Sequence, residues 1–104
     1  MVINKELLDE LSVQAKASPR LRQAYDLRNT PEDHSQRMLN AMEPGSDMPI
    51  LRYKHTSETV VCLRGCLVEE FYDEFERICI DVIELTPNGP NYAVNVPAGQ
   101  RHRV

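Results

Sequence analysis

Two stretches of the chain carry side chains that could bind a metal ion or transfer a proton. The first reads GSDMPILRYKHTSETVVCLRG from Gly45 to Gly65, and the second reads PAGQRH and ends at His102. Intervals of five, one, four and six residues separate, in order, Gly45, Leu51, Tyr53, Glu58 and Gly65. Imidazole and carboxylate groups suit iron, nickel, zinc and manganese. Metal chemistry is therefore the first function to consider for these residues.

The region that must position these residues has the pattern of short β-strands. Runs rich in Val, Ile, Thr, Phe and Tyr alternate with turns that contain Gly, Pro, Asn and Asp. The predicted strands are Ile50–Tyr53, Thr59–Arg64, Cys66–Tyr72, Arg77–Leu85 and Tyr92–Val96. Strands at this spacing, without long helices between them, favour an antiparallel sandwich or barrel.

Two helices are predicted before this region. Residues 4–17 have apolar side chains at helical spacing, with Asn4 as the cap and Pro19 as the stop. Thr30 and Pro31 then have the residue types of an N-cap and a first helical position. This second helix is predicted to last about two turns, because Pro44-Gly45 breaks the chain soon afterwards.

Length and charge limit the classes of protein. A chain of 104 residues predicts one domain, in which residues 1–44 form a helical segment that leads into barrel strands at 45–104. The net charge is −4 and no run of Lys or Arg exceeds two residues, which disfavours nucleic acid as a partner. Neither a signal peptide nor a run of ~20 apolar residues is visible. A cytoplasmic protein with reduced thiols and no membrane partner is expected.

The two motifs resemble those of the cupin superfamily. Together with residues 16–22 and 35–45, they are similar to the WbuC-type cupin fold metalloproteins over about residues 5–102. The resemblance implies a mainly β fold, a cupin-type double-stranded β-helix (a jelly-roll-like barrel). It also implies a divalent metal held by two histidines and a glutamate of the first motif and a histidine of the second. Members of this group are small bacterial proteins often associated with polysaccharide or O-antigen gene clusters.

The ligand set implied by this resemblance is incomplete. Leu51 and Tyr53 occupy the positions of the two first-motif histidines, and only Glu58 and His102 remain in register. Tyr53 is a poor ligand while its phenol is protonated, and His55 is a substitute if the strand continues that far. The candidate metal residues are therefore Glu58, His102, Tyr53 and His55. With two or three ligands, binding of iron, nickel, zinc or manganese should be weak or absent.

The resemblance leads to two hypotheses of function. In the first, the protein binds or acts on a sugar-related metabolite. Glu58 would then be a metal ligand or general base and His102 a ligand or acid. Arg52 would position an anionic substrate, and Tyr53 would also contact the substrate. In the second, the protein is a non-catalytic binding or dimerisation module that has lost the metal, which Leu51 favours. The sequence leaves open whether the protein is an enzyme.

The chain ends at Val104, two residues after the second-motif histidine. A cupin normally continues with further strands, so the barrel is expected to be short at its C-terminal end. Unpaired strand edges invite association, and apolar positions such as Ile80, Val82 and Val94 would need cover. A homodimer is therefore expected.

Other reactive groups receive structural interpretations. Cys62 follows Glu58 by four residues and Val60 by two, so it shares their side of the strand. It should be a small buried side chain, and Cys79 should pack within its strand. Glu69 and Glu70 point to opposite faces of a strand. This doublet is therefore interpreted as part of a solvated hairpin.

Overall fold

The computed structural model describes all 104 residues. The chain divides into two compact units, Met1–Asp47 and Met48–Val104. The chain is mainly β, as predicted, with one helix and seven strands. The elements are α1 (Lys5–Ala17), β1 (Arg22–Asp26), β2 (Met38–Met42), β3 (Glu58–Val61), β4 (Leu67–Tyr72), β5 (Cys79–Leu85), β6 (Ala93–Val96) and β7 (Arg101–Arg103). No helix has the length and apolar character needed to cross a membrane.

The helix of the first unit confirms the prediction for residues 4–17. The side chain of Asn4 accepts a hydrogen bond of 3.0 Å from the backbone N–H of Leu7, which satisfies one free donor of the first turn. Leu11 and Ala15, four residues apart, are the buried positions of the helix. One face of the helix is therefore packed and the rest is solvated, as the apolar spacing predicts.

The second predicted helix is wrong, because β1 and β2 form an antiparallel hairpin there. The segment from Thr30 makes a turn, with a hydrogen bond from Asp33 N to Thr30 O. The carboxylate of Asp33 also accepts hydrogen bonds from the backbone N–H groups of Asn29 and Ser35. Such local bonds satisfy the backbone without a helix. The N-terminal segment is thus one helix and a hairpin.

The second unit is built from antiparallel pairs that are nested along the chain. Leu51 pairs with His102, the β3 strand pairs with β6, and β4 pairs with β5. Each pair lies inside the previous one in sequence, so the unit is one long hairpin. The hairpin is wound, because β7 from its outer end also pairs with β4 from its inner end.

The strands form small sheets and do not close into a barrel. The β3–β6 pair stands as a two-stranded sheet, and the order β5-β4-β7 makes a three-stranded sheet. Strands β3 to β6 match four of the predicted segments with shifted ends, whereas the predicted strand Ile50–Tyr53 is reduced to the bridge at Leu51.

Turns with glycine bring the two motifs of the sequence side by side. Gly65, between β3 and β4, and Gly99, between β6 and β7, have φ angles of 80° and 85°, which side chains other than glycine rarely adopt. The N–H of Gly99 donates a 2.8 Å hydrogen bond to the carbonyl of Tyr53. The conformation of Gly99 therefore fixes the second motif against the first.

Candidate functional site

The most unusual feature of the second unit is a buried acid–base pair. Nδ1 of His102 on β7 is hydrogen-bonded to Oε1 of Glu69 on β4. Glu69 is 0% exposed and His102 is 4% exposed. Their remaining polar atoms, Glu69 Oε2 and His102 Nε2, are buried without a hydrogen-bond partner in the protein. Buried polar groups are normally paired, so these two atoms are available to a ligand.

Strand register places both side chains on one face of the three-stranded sheet. Phe71 on β4 lies opposite His102 on β7. Glu69 is two residues before Phe71, and side chains two apart share a face. We call this side, which carries Glu69, Phe71 and His102, the inner face. The side that carries Glu70, Tyr72 and Arg103 is the outer face.

The first motif and β4 supply the neighbours of His102. Leu51 exchanges two backbone hydrogen bonds with His102, of 2.8 and 2.9 Å. The ring centroids of Tyr53 and Phe71 each lie 6.5 Å from that of His102. Tyr53 is 44% exposed, whereas Phe71 is buried. The imidazole therefore has a fixed aromatic wall on one side and a solvent-facing tyrosine on another.

Glu58 is the second carboxylate of this site. It lies on β3 opposite Val96, which is buried, and is itself half-buried. Burial raises the pKa of the Glu69 carboxyl; the hydrogen bond to His102 opposes this shift, and the charge of Glu58 adds to it. Glu58 therefore acts on the buried pair through its negative charge.

These donors do not fit the four-ligand metal site implied by the resemblance. Leu51 has no donor atom, and a neutral phenol such as that of Tyr53 is a weak ligand. His102 offers only Nε2, because Glu69 holds Nδ1. No group of three or more His, Cys, Asp or Glu residues in the chain is arranged to hold a metal ion.

Two further predicted site residues lie elsewhere. Arg52 donates a 3.0 Å hydrogen bond to the carboxylate of Glu74, in the turn between β4 and β5. His55 is exposed in the segment between Leu51 and β3. The structure therefore brings Tyr53 beside His102, leaves Glu58 to act on the buried pair through its charge, and pairs Arg52 with a carboxylate of the hairpin turn.

The outer face carries a second pair of oppositely charged residues. Nε of Arg103 donates a 2.9 Å hydrogen bond to Glu70 Oε1, and the Arg103 guanidinium lies 5.5 Å from the ring centroid of Tyr72. Both charged side chains are partly exposed. This pair has the ordinary form of a surface salt bridge with a cation–π contact.

The sequence interpretation missed Glu69. The prediction of a solvated Glu69–Glu70 hairpin is wrong for Glu69, which is fully buried. No local signal separates the two glutamates, because Glu69 lies between Leu67 and Phe71 on one face and Glu70 lies between Val68 and Tyr72 on the other. The interpretation of Cys79 as packed is also wrong, since this thiol is exposed, whereas the predicted burial of Cys62 is confirmed.

Comparison with known proteins gives one family. The model of the family described as "Domain of unknown function (DUF6016)" matches residues 3–82. The chain belongs to this family. The matched segment includes Glu58 and Glu69 and ends before His102. None of the curated proteins and none of the solved structures matches the chain.

Proposed function

We propose that the protein is a small cupin similar to the WbuC-type proteins, and that its inner face binds or acts on a sugar-related metabolite. The nested antiparallel pairs and the return of β7 to β4 support the cupin assignment, because a jelly roll is a wound antiparallel hairpin. The pairing of Leu51 with His102 supports the alignment of the two motifs. Intracellular location is part of this proposal.

The observation that carries the proposed function is the buried Glu69–His102 pair with its two free polar atoms. A carboxylate on Nδ1 fixes the orientation of an imidazole and leaves Nε2 to act on a substrate. Two hydroxyl groups of one ligand can complete the two free atoms, since each of them donates and accepts. In this role His102 exchanges a proton with the bound hydroxyl, and Glu69 positions the ring.

Access to Nε2 requires a side chain to move, because the atom is buried. Tyr53 is the candidate, since it lies beside His102 and is substantially exposed. Exposed side chains change rotamer within nanoseconds. A tyrosine at this place can also stack on a sugar ring, which agrees with the substrate-binding role expected for it.

Ligand-observed NMR with a panel of neutral monosaccharides tests this proposal. Binding should be detected with the wild type and with Arg103→Gln, the matched outer-face control, and should be lost with His102→Gln. Thermal denaturation of each variant checks that it is folded at the temperature of the measurement. Binding that survives His102→Gln, or no binding by the wild type, would contradict the proposed site.

A metal ion is expected to contribute little in this protein. The donors with suitable chemistry are Glu69 Oε2 and His102 Nε2 on the inner face and Glu58 on β3, and they do not form a group of three that could hold a metal ion. His55 would have to move to join them. We propose that purified protein carries well under one equivalent of iron, nickel, zinc or manganese. Elemental analysis of protein purified without added metal tests this, and near-stoichiometric metal would contradict it.

A second candidate function is a dimerisation module, favoured by the exposed apolar side chains of β5. Ile80 and Val82 are 58% and 57% exposed, and β5 forms an edge of its sheet. A second copy of this chain, using the same surface, is the simplest cover. Light scattering at micromolar concentration should give twice the chain mass. Val82→Lys should produce a monomer, whereas Asn95→Lys, an exposed position on β6, should not.

A further inference from the structure

The charges around the inner face indicate which kind of ligand it accepts. We infer that the site takes an uncharged ligand with neighbouring hydroxyl groups and disfavours its carboxylate- or phosphate-bearing counterparts. This inference rests on the proposed function and narrows it. It differs from the sequence interpretation, in which Arg52 would position an anionic substrate.

Three arginines lie next to site residues in the sequence, Arg52 beside Tyr53 and Arg101 and Arg103 on either side of His102. Arg52 is paired with Glu74, and Arg101 is paired with Glu76. Arg103 is paired with Glu70 on the outer face. Each of these guanidinium groups already has a carboxylate partner, so an anionic ligand would have to compete with that partner.

The buried pair of the inner face carries no net positive charge while Glu69 is ionised. The carboxylate offsets an imidazolium, and beside a neutral imidazole it leaves a net negative charge. Glu58, on β3, adds a carboxylate that acts on Glu69 through its charge and has no hydrogen-bonded cationic partner. A ligand carboxylate or phosphate would meet a like charge in a partly desolvated place, which is unfavourable for binding.

Neighbouring hydroxyl groups match the hydrogen-bonding capacity of the two free atoms. Glu69 Oε2 accepts hydrogen bonds while the carboxyl is ionised, and His102 Nε2 donates or accepts according to the tautomer. One hydroxyl group can donate to Oε2, and a second can accept from Nε2 or donate to it. A carboxylate oxygen has no proton to donate, so it leaves Oε2 unsatisfied.

Matched sets of probes test the inference. Glucose, galactose and mannose are each compared with the uronic acid and the 6-phosphate of the same ring, by chemical-shift titration of nitrogen-labelled protein. His102 is monitored through its imidazole nitrogens. Each anionic form should bind about tenfold more weakly or worse than its neutral parent. Glu58→Gln should reduce the difference in affinity between the neutral sugars and the uronic acids. Glu70→Gln should leave this difference unchanged.

The outcomes separate this inference from the proposed function. If a uronic acid or a sugar phosphate binds as tightly as its neutral parent and shifts the His102 nitrogens, the inference is overturned while the proposed function stands. If no probe shifts these nitrogens, the proposed function fails and the inference fails with it. If Glu58→Gln left the affinity difference between neutral sugars and uronic acids unchanged, this would also count against the inference. Glu58 is the charge that should repel the uronic acids.

Discussion

The two faces of the β4–β7 pair place similar residues in opposite circumstances. On the inner face Glu69 meets His102 in the protein interior, and one residue along each strand Glu70 meets Arg103 at the surface. Both pairs join a glutamate of β4 to a basic side chain of β7. The difference is the face of the strand to which each side chain points, since neighbouring residues point to opposite faces. The face decides whether a pair is desolvated. Adjacent acidic residues therefore need not share a role.

Removal of one partner should separate the two faces most strongly. His102→Ala leaves the Glu69 carboxyl buried without its partner and should lower the free energy of unfolding by about 3–5 kcal/mol. Arg103→Ala leaves Glu70 in reach of water and should lower it by about 1 kcal/mol or less. Urea unfolding of the two variants and the wild type measures the difference.

A matched apolar replacement distinguishes a desolvation effect from a general packing defect. Glu69→Met combined with His102→Leu removes both polar groups and roughly keeps the volume, so it should recover most of the stability lost by His102→Ala. The same variant should not bind a sugar. Equal losses for His102→Ala and Arg103→Ala would mean that burial does not distinguish the faces.

Histidines added to the first motif test the face assignment by metal affinity. Leu51→His with Tyr53→His should complete a set of three histidines with Glu58, since Leu51 lies opposite His102 and Tyr53 lies near it. Affinity for zinc or nickel should rise about 100-fold or more, and a metal concentration 100 times Kd would add about 2.7 kcal/mol of stability.

The control for this rebuilding is Arg52→His with Lys54→His, which adds the same two residue types at the alternate positions. These side chains should point away from His102, so the metal affinity should stay close to that of the wild type. A folded Leu51→His, Tyr53→His protein that binds no more metal than this control would show that the alignment of the first motif is wrong.

The pH dependence of stability is the next distinction between the faces. Burial raises the pKa of Glu69, so the folded chain holds a proton there more tightly than the unfolded chain. The associated stabilisation is fully present below the unfolded pKa of about 4.3 and is lost as the pH rises through the higher folded pKa. The stability of the wild type relative to Glu69→Gln should therefore fall with rising pH, by at most ~1.4 kcal/mol per pH unit.

Glu70→Gln, measured over the same pH range, accounts for the loss of one carboxyl charge from the chain. The relevant quantity is the difference between the two variants in their pH slopes, obtained from urea unfolding at each pH. A stability difference between wild type and Glu69→Gln that stays constant, or grows as the pH rises, would contradict a raised pKa for the buried carboxyl.

The sequence predicted the parts of the fold that depend on local pattern. Asn4 and the spacing of Leu11 and Ala15 predicted α1, and turns with glycine marked the strands of the second unit. The helix predicted after Thr30 failed because the Asp33 side chain satisfies a turn instead. Local propensity could not distinguish these two uses of the same residue types.

The candidate site was only partly predictable for a different reason. The motif spacing identified Tyr53 and His102, which the fold brings together, and Glu58, whose charge acts on Glu69. The partner of His102 comes from β4, and which β4 residue faces β7 depends on the pairing of strands far apart in sequence. Long-range register of this kind is not contained in a local pattern. Glu69 was therefore assigned to solvent.

The smallest expected effect is the coupling across the outer face. A double-mutant cycle with Glu70→Gln and Arg103→Gln should give about 0.2–1 kcal/mol, since both side chains are partly exposed. At 1 M salt the Debye length falls to about 3 Å, so this coupling should fall further. The stability lost in His102→Ala should change little, because no mobile ions reach the buried pair.

Arg103→Gln also removes the contact with Tyr72. Repeating the cycle in a Tyr72→Leu background separates the energy of that contact from the energy of the Glu70–Arg103 ion pair. An outer coupling that is large and independent of salt would mean that the outer pair is desolvated too, and the contrast between the two faces would disappear.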